Sequence, residues 1–259
     1  MKLTALGTGS AFEGMCHNAS HLLNDELLVD AGAPVPYLLR RASGQTAPRY
    51  ILITHFHGDH TGNLPVTLGL IATAARNVPT HIIGPVGIGE FTERLVSTVY
   101  GHRFWIRMLE ECGLLFQEVD DAATVTFGSW TCRGVALSHS LGPSVGYLLE
   151  NSGDSVSLGI TGDTAMCAGL TRLASMSDVL LTECSFLHPP ALFGHLSTAD
   201  IAELVHDHPT TRILLAHYGA VPHVKGALTL HDGMTLHLTE QLLGEKWRVS
   251  QRPHLHQPD

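Results

Sequence analysis

The chain has 259 residues, 44% of them hydrophobic and 15% charged, with a formal charge of −9. That composition suits a compact core and excludes a disordered chain. Proteins that grip long nucleic acid by its phosphates carry a basic face, so the acidic balance sets a large nucleic-acid partner aside.

The first expected strand is KLTALG at 2–7, and this opening lacks the apolar run and cleavage site of a signal peptide. Further strands are expected over 21–25, 26–32, 50–55, 81–85, 124–140, 144–150, 155–164, 178–184 and 212–219. Each is a leucine-rich or β-branched run bounded by glycines and polar turns. Helical periodicity predicts helices over 64–76, 87–111, 197–207 and 223–231. Ser197 and Asp200 have the capping-box spacing that starts the third of these. The longest weakly polar run, LPVTLGLIATAA from Leu64, is too short to span a bilayer. Five scattered cysteines without a C-x-x-C read as reduced thiols of a cytoplasmic protein.

Strands in groups with helices between them predict an α+β sandwich whose sheets are covered by helices. We read one domain over 1–247 and a polar tail over 248–259, with His254 and His256 expected to be solvent-exposed and inert.

The chemistry concentrates in ILITHFHGDHTGN, residues 51–63. His55 and His57 stand two apart behind an apolar strand, and Asp59 and His60 follow at once. Imidazole plus carboxylate suits a borderline-soft divalent ion such as zinc, at roughly 2.0–2.2 Å per bond. Two ions roughly 3.5–4 Å apart can share so compact a set. The alternative is a polar loop that is merely rich in histidine.

This H-x-H-x-D-H run closely resembles the signature of the metallo-β-lactamase superfamily, which implies a four-layer αββα sandwich. The remaining ligands of that family are matched in order by His139 in VALSHS, Asp163 in GITGDT and His217 in ILLAHYG. Each ends an apolar run. By the resemblance, His55, His57 and His139 hold one divalent ion. Asp59, His60 and His217 hold the other, and Asp163 bridges the two. Zinc is the implied metal, with manganese or iron as alternatives. Asp30 in LLVDAG matches a position that orients a ligand imidazole, or else is an ordinary turn aspartate.

Three more segments resemble ribonuclease Z and its phosphodiesterase relatives: LGTGSAF with HNASHLLND near the start, DVLLTECSF with Glu183, and GHLSTADIAEL with His195. The resemblance implies that His195 assists departure of the leaving group and that Asp59 orients the nucleophile. The departures point to a small substrate. The 23 residues between His139 and Asp163 leave no room for the arm that grips tRNA, and no basic run replaces it. The relatives' proline- and basic-rich turn is replaced by EGMCHN, and the Glu expected shortly before Asp163 is absent.

A small phosphodiester, such as a cyclic nucleotide or a short nucleotidic diester, is therefore the expected substrate. The alternatives are tRNA 3′ processing, hydrolysis of a thioester, lactone or sulfate ester, and a metal-binding module without turnover. The segment 98–113 is read either as a lid that stacks a base or as an ordinary amphipathic helix. The run from Leu64 resembles the dimer-forming region of these relatives, which implies a homodimer.

Overall fold

A computed structural model describes residues 1–239 except 13, 43–46, 75–78, 141 and 190–193; the expected tail from 248 lies outside the described residues. The strands are β1 Lys2–Gly7, β2 Ser20–Leu23, β3 Leu27–Val29, β4 Tyr50–Leu52, β5 His81–Gly84, β6 Leu115–Glu118 and β7 Thr124–Phe127. They continue as β8 Trp130–Leu137, β9 Ser144–Asn151, β10 Leu158–Ile160, β11 Val179–Glu183, β12 Arg212–Ala216, β13 Ala227–Thr229 and β14 Thr235–His237. Among the described residues they make two seven-stranded sheets, ordered β14-β1-β2-β3-β4-β5-β6 and β13-β12-β11-β10-β9-β8-β7.

Alternation along the strands builds the layers, because successive side chains leave opposite faces of a sheet. Leu3, Val29, Leu52 and Ile83 of the first sheet meet Tyr147, Leu149, Leu158 and Leu214 of the second in the central core. Their neighbours Leu22, Leu28, Ile51 and Ile82 face outward, under helices α1 Val35–Ala42, α3 Leu64–Ala74, α4 Ile88–Tyr100 and α5 His102–Cys112. On the far side α6 Ala168–Met176 and α7 Thr198–Asp207 cover Leu180, Ile213 and Leu215. The result is the expected αββα sandwich. Large core side chains such as Trp130 and Tyr147 are essentially inaccessible, and each such burial contributes roughly 1.5–3 kcal/mol.

Strand direction gathers the loops. β10, β11 and β12 are parallel, and β8 runs the same way because β9 lies antiparallel to both β8 and β10. Their C-terminal ends therefore share one rim, where open α/β sheets place ligands. The end of β4 meets that rim through Val145 N–H, which donates to Thr54 O at 3.1 Å.

Several expected elements change form. The helix expected over 223–231 is instead a turn followed by β13, which pairs in parallel with β12. Pro222 precedes it, and Gly226 at φ +96° breaks helical geometry. The helix expected over 87–111 divides into α4 and α5 at Gly101, φ +87°. The strand expected over 124–140 is a hairpin, β7 and β8, turning at Gly128. Segment 98–113 is the end of α4 and an amphipathic α5, with Trp105 and Met108 buried and Arg103 and Arg107 exposed. The four-residue helix α2 Gly58–Thr61, and α1, α6, β6 and β14, were not among the expected elements.

Candidate metal centre

Each ligand expected from the sequence leaves the end of a strand. The β4 exit delivers His55 and His57, and α2 carries Asp59 and His60 one turn on. β8 releases His139, β10 releases Asp163, and β12 releases His217. Two groups converge, His55, His57, His139 and Asp163 in one and Asp59, His60, Asp163 and His217 in the other. Within each group the ligand atoms lie within 4.8 Å of one another.

The separations have the scale of a coordination shell. Nε2 of His139 is 3.4 Å from Nδ1 of His57, and Nε2 of His55 is 3.6 Å from Oδ2 of Asp163. Oδ1 of the same carboxylate is 3.3 Å from Nε2 of His60 and 3.4 Å from Nε2 of His217. Adjacent donors of a tetrahedral ion with bonds of roughly 2.1 Å stand roughly 3.4 Å apart. Asp163 thus turns one oxygen to each group.

His55 Nε2, His60 Nε2 and Asp163 Oδ1 are buried there with no hydrogen-bond partner. Unpaired buried polar atoms are costly, and a cation among them satisfies all three. Four carboxylates, Asp30, Asp59, Asp163 and Glu183, crowd this buried region, and two dications would balance their charge. The residues therefore fit a pair of divalent ions.

Electrostatics agree. Burial alone would depress His60, yet the Asp163 and Asp30 carboxylates outweigh it and raise its pKa well above the ordinary value. Burial likewise opposes ionisation of Asp59, but hydrogen bonding from His217 and the charge of His60 bring its carboxyl down to about 2. The carboxylates favour positive charge at His60 and, through Asp163 and Asp59, at His217, whereas burial lowers His55 and His57 and keeps them neutral.

Support comes from behind. Asp30 Oδ2 lies 2.7 Å from His60 Nδ1 and accepts from Thr54 Oγ1 at 2.9 Å, while Oδ1 accepts from Thr54 N at 2.8 Å. Asp30 thus holds the imidazole of His60 and is more than an ordinary turn aspartate. His139 Nδ1 is 3.1 Å from the carbonyl of Gly194. Asp30 at φ 57° and His217 at φ 48° both adopt left-handed backbone, a conformation that persists in non-glycine residues where structure imposes it. Gly32 is required by contact: a Cβ there would sit 1.6 Å from the carbonyl oxygen of Asp59.

His195 stands beside the second group at the mouth of α7, whose capping box through Ser197 and Asp200 forms as expected. Its Nδ1 is 2.9 Å from Glu183 Oε1 and 3.9 Å from Asp163 Oδ2. Burial would lower its pKa, but the hydrogen bond and charge of Glu183 raise it overall. Thr54 and Ser185, which touch ligand imidazoles, were missed from the sequence; single hydroxyls carry no distinguishing pattern.

Residues 1–233 match the family described as Anti-Pycsar protein Apyc1. The chain belongs to that family. It is 30% identical over 199 residues to the ribonuclease Z of Mycobacterium bovis (strain BCG / Pasteur 1173P2), covering 70% of this chain and 69% of that one. Human tRNase Z, short form, has the same fold, with a TM-score of 0.70, 21% identity, and coverage of 92% of this chain and 99% of that one. A diphosphatase of the PhnP family superposes at TM-score 0.68 with 15% identity, over 92% of this chain and 97% of its own. This Apyc1-family chain is thus a metal-dependent hydrolase of the metallo-β-lactamase superfamily, ribonuclease Z and phosphodiesterase branch.

Proposed function

We propose that the protein hydrolyses a small phosphodiester, a cyclic nucleotide or a short nucleotidic diester, at a dinuclear centre. In this reading His55, His57 and His139 hold one ion, Asp59, His60 and His217 the other, and Asp163 both. The metal is zinc, with manganese and iron as the alternatives. Bound divalent ions supply Lewis acidity and lower the pKa of water toward neutrality.

The protein's own groups do the rest. Asp59 accepts a hydrogen bond from the attacking water and orients it toward phosphorus. As the new P–O bond forms and the ester P–O bond breaks, His195 gives its proton to the departing oxygen. Glu183, on the opposite ring nitrogen, holds that imidazole in place.

The observation that carries the small substrate is the connection between β9 and β10, which spans only residues 152–157. No arm able to grip a tRNA can be built there. The 30% identity to a ribonuclease Z favours the second reading, tRNA 3′ processing. Assaying the zinc-loaded protein on 2′,3′- and 3′,5′-cyclic nucleotides, a precursor tRNA, a thioester and a lactone separates them. Turnover of the cyclic nucleotides alone supports the proposal, whereas accurate tRNA cleavage or thioester or lactone turnover without diester hydrolysis overturns it.

The reading includes a homodimer through the outer side of α3, where Val66 is exposed, and sedimentation tests it. It also places the protein in the cytoplasm. Among the described residues no helix is long and apolar enough to cross a membrane.

A further inference from the structure

Two hydroxyls sit between a buried carboxylate and a ligand imidazole, on different sheets, in the same arrangement. Thr54 Oγ1 is 2.9 Å from Asp30 Oδ2 and 3.1 Å from His55 Nδ1. Ser185 Oγ is 2.6 Å from Glu183 Oε2 and 3.0 Å from His217 Nδ1. A hydroxyl has one proton to donate and lone pairs to accept with. An ionised carboxylate only accepts, so each hydroxyl proton goes to its carboxylate and the imidazole must donate Nδ1–H to the hydroxyl oxygen. The 2.6 Å contact of Ser185 outcompetes its 3.2 Å approach to His217 O.

The carboxylates are pinned as acceptors. Glu183 Oε2 also takes Leu196 N at 3.2 Å, and its other oxygen, Oε1, takes Thr164 N at 2.8 Å and faces His195 Nδ1 at 2.9 Å. Asp30 takes Thr54 N and faces His60 Nδ1. Each carboxylate therefore orients one histidine directly, and each has a second histidine within reach of one intervening hydroxyl.

We propose that Thr54 and Ser185 are positioning residues that fix the Nδ1–H tautomers of His55 and His217, leaving both Nε2 lone pairs to the metals. The inference rests on the dinuclear reading above. It divides the support of the centre in two: Thr54 serves the ion held by His55, and Ser185 the ion held by His217. A ligand imidazole free to choose its tautomer spends part of its time with a proton on the nitrogen that should bind metal.

The test is zinc titration of the full chain against a chromophoric chelator, with metal-free unfolding midpoints measured in parallel. Thr54→Val and Ser185→Ala should each weaken one of two zinc steps about 10- to 100-fold. Thr54→Ser and Ser185→Thr, which restore the hydroxyl, should titrate as wild type. Thr92→Val removes a buried hydroxyl that donates to Ile88 O and should leave both steps unchanged. Unchanged zinc steps in Thr54→Val and Ser185→Ala overturn the proposal while leaving the dinuclear reading intact, as does failure of the hydroxyl-restoring pair. Fewer than two zinc ions in the wild type sinks the dinuclear reading and the relays together. Two relays on separate sheets keep the test decisive if one variant fails to fold.

Discussion

Asp30 Oδ2 lies 2.7 Å from Nδ1 of His60, tying the end of β3 to the helix that follows β4. The bond turns His60 Nε2 toward Asp163 and Asp59, at 3.3 and 3.5 Å. Asp30→Asn retains an acceptor of the same shape but without charge. It should lower zinc affinity about 10- to 100-fold, read by competition with a chelator. Wild-type affinity in this variant would show that Asp30 serves only the turn.

Much of this centre is legible in the sequence because its ligands end apolar runs, and a strand end fixes where a side chain emerges. His139, Asp163 and His217 follow β8, β10 and β12 in that way. Thr54 and Ser185 are not legible, since their roles depend on which imidazole lies opposite across the fold. The helix expected over 223–231 failed for a related reason: pairing with β12 outweighs local periodicity once Pro222 and Gly226 weaken a helix. Element β6 escaped because LFQE has no strict alternation, and its pairing with β5 defines it.

Stripping the ions should destabilise the fold. A ligand present at 100 times its dissociation constant contributes about 2.7 kcal/mol. For a chain of this size that is a fall of about 5–10 °C in the unfolding midpoint. Differential scanning fluorimetry with and without a chelator checks it, and an unchanged midpoint argues against tight metal in the folded state.

His195→Ala should reduce kcat on a diester about 100- to 10,000-fold while zinc content stays at the wild-type value. Parallel elemental analysis separates catalysis from assembly. Loss of metal in this variant would move His195 from proton transfer to the scaffold of the centre.

Acid should destabilise the protein through His21. Burial, with His60 and His217 nearby, pushes this imidazole down to about 3, so it stays neutral in the fold while the unfolded chain takes up a proton below pH 6.5. Its effect on stability is absent above 6.5 and grows as pH falls toward 3, by about 1.4 kcal/mol per pH unit. Unfolding free energies of wild type and His21→Leu should diverge in slope over that window. Parallel slopes would remove His21 from the acid response.

Gly32→Ala should disturb the ligand loop, because the added methyl group collides with the backbone of Asp59. The expected outcome is a loss of zinc together with a lower unfolding midpoint. Normal zinc content and stability would mean that the 58–60 turn shifts freely.

The most direct measurement is anomalous diffraction from zinc-loaded crystals, recorded on both sides of the zinc edge. Two peaks should appear, one within bonding distance of His55, His57 and His139 and one of Asp59, His60 and His217, both contacting Asp163. A single peak, or peaks elsewhere, would contradict the dinuclear centre on which the proposed hydrolysis depends.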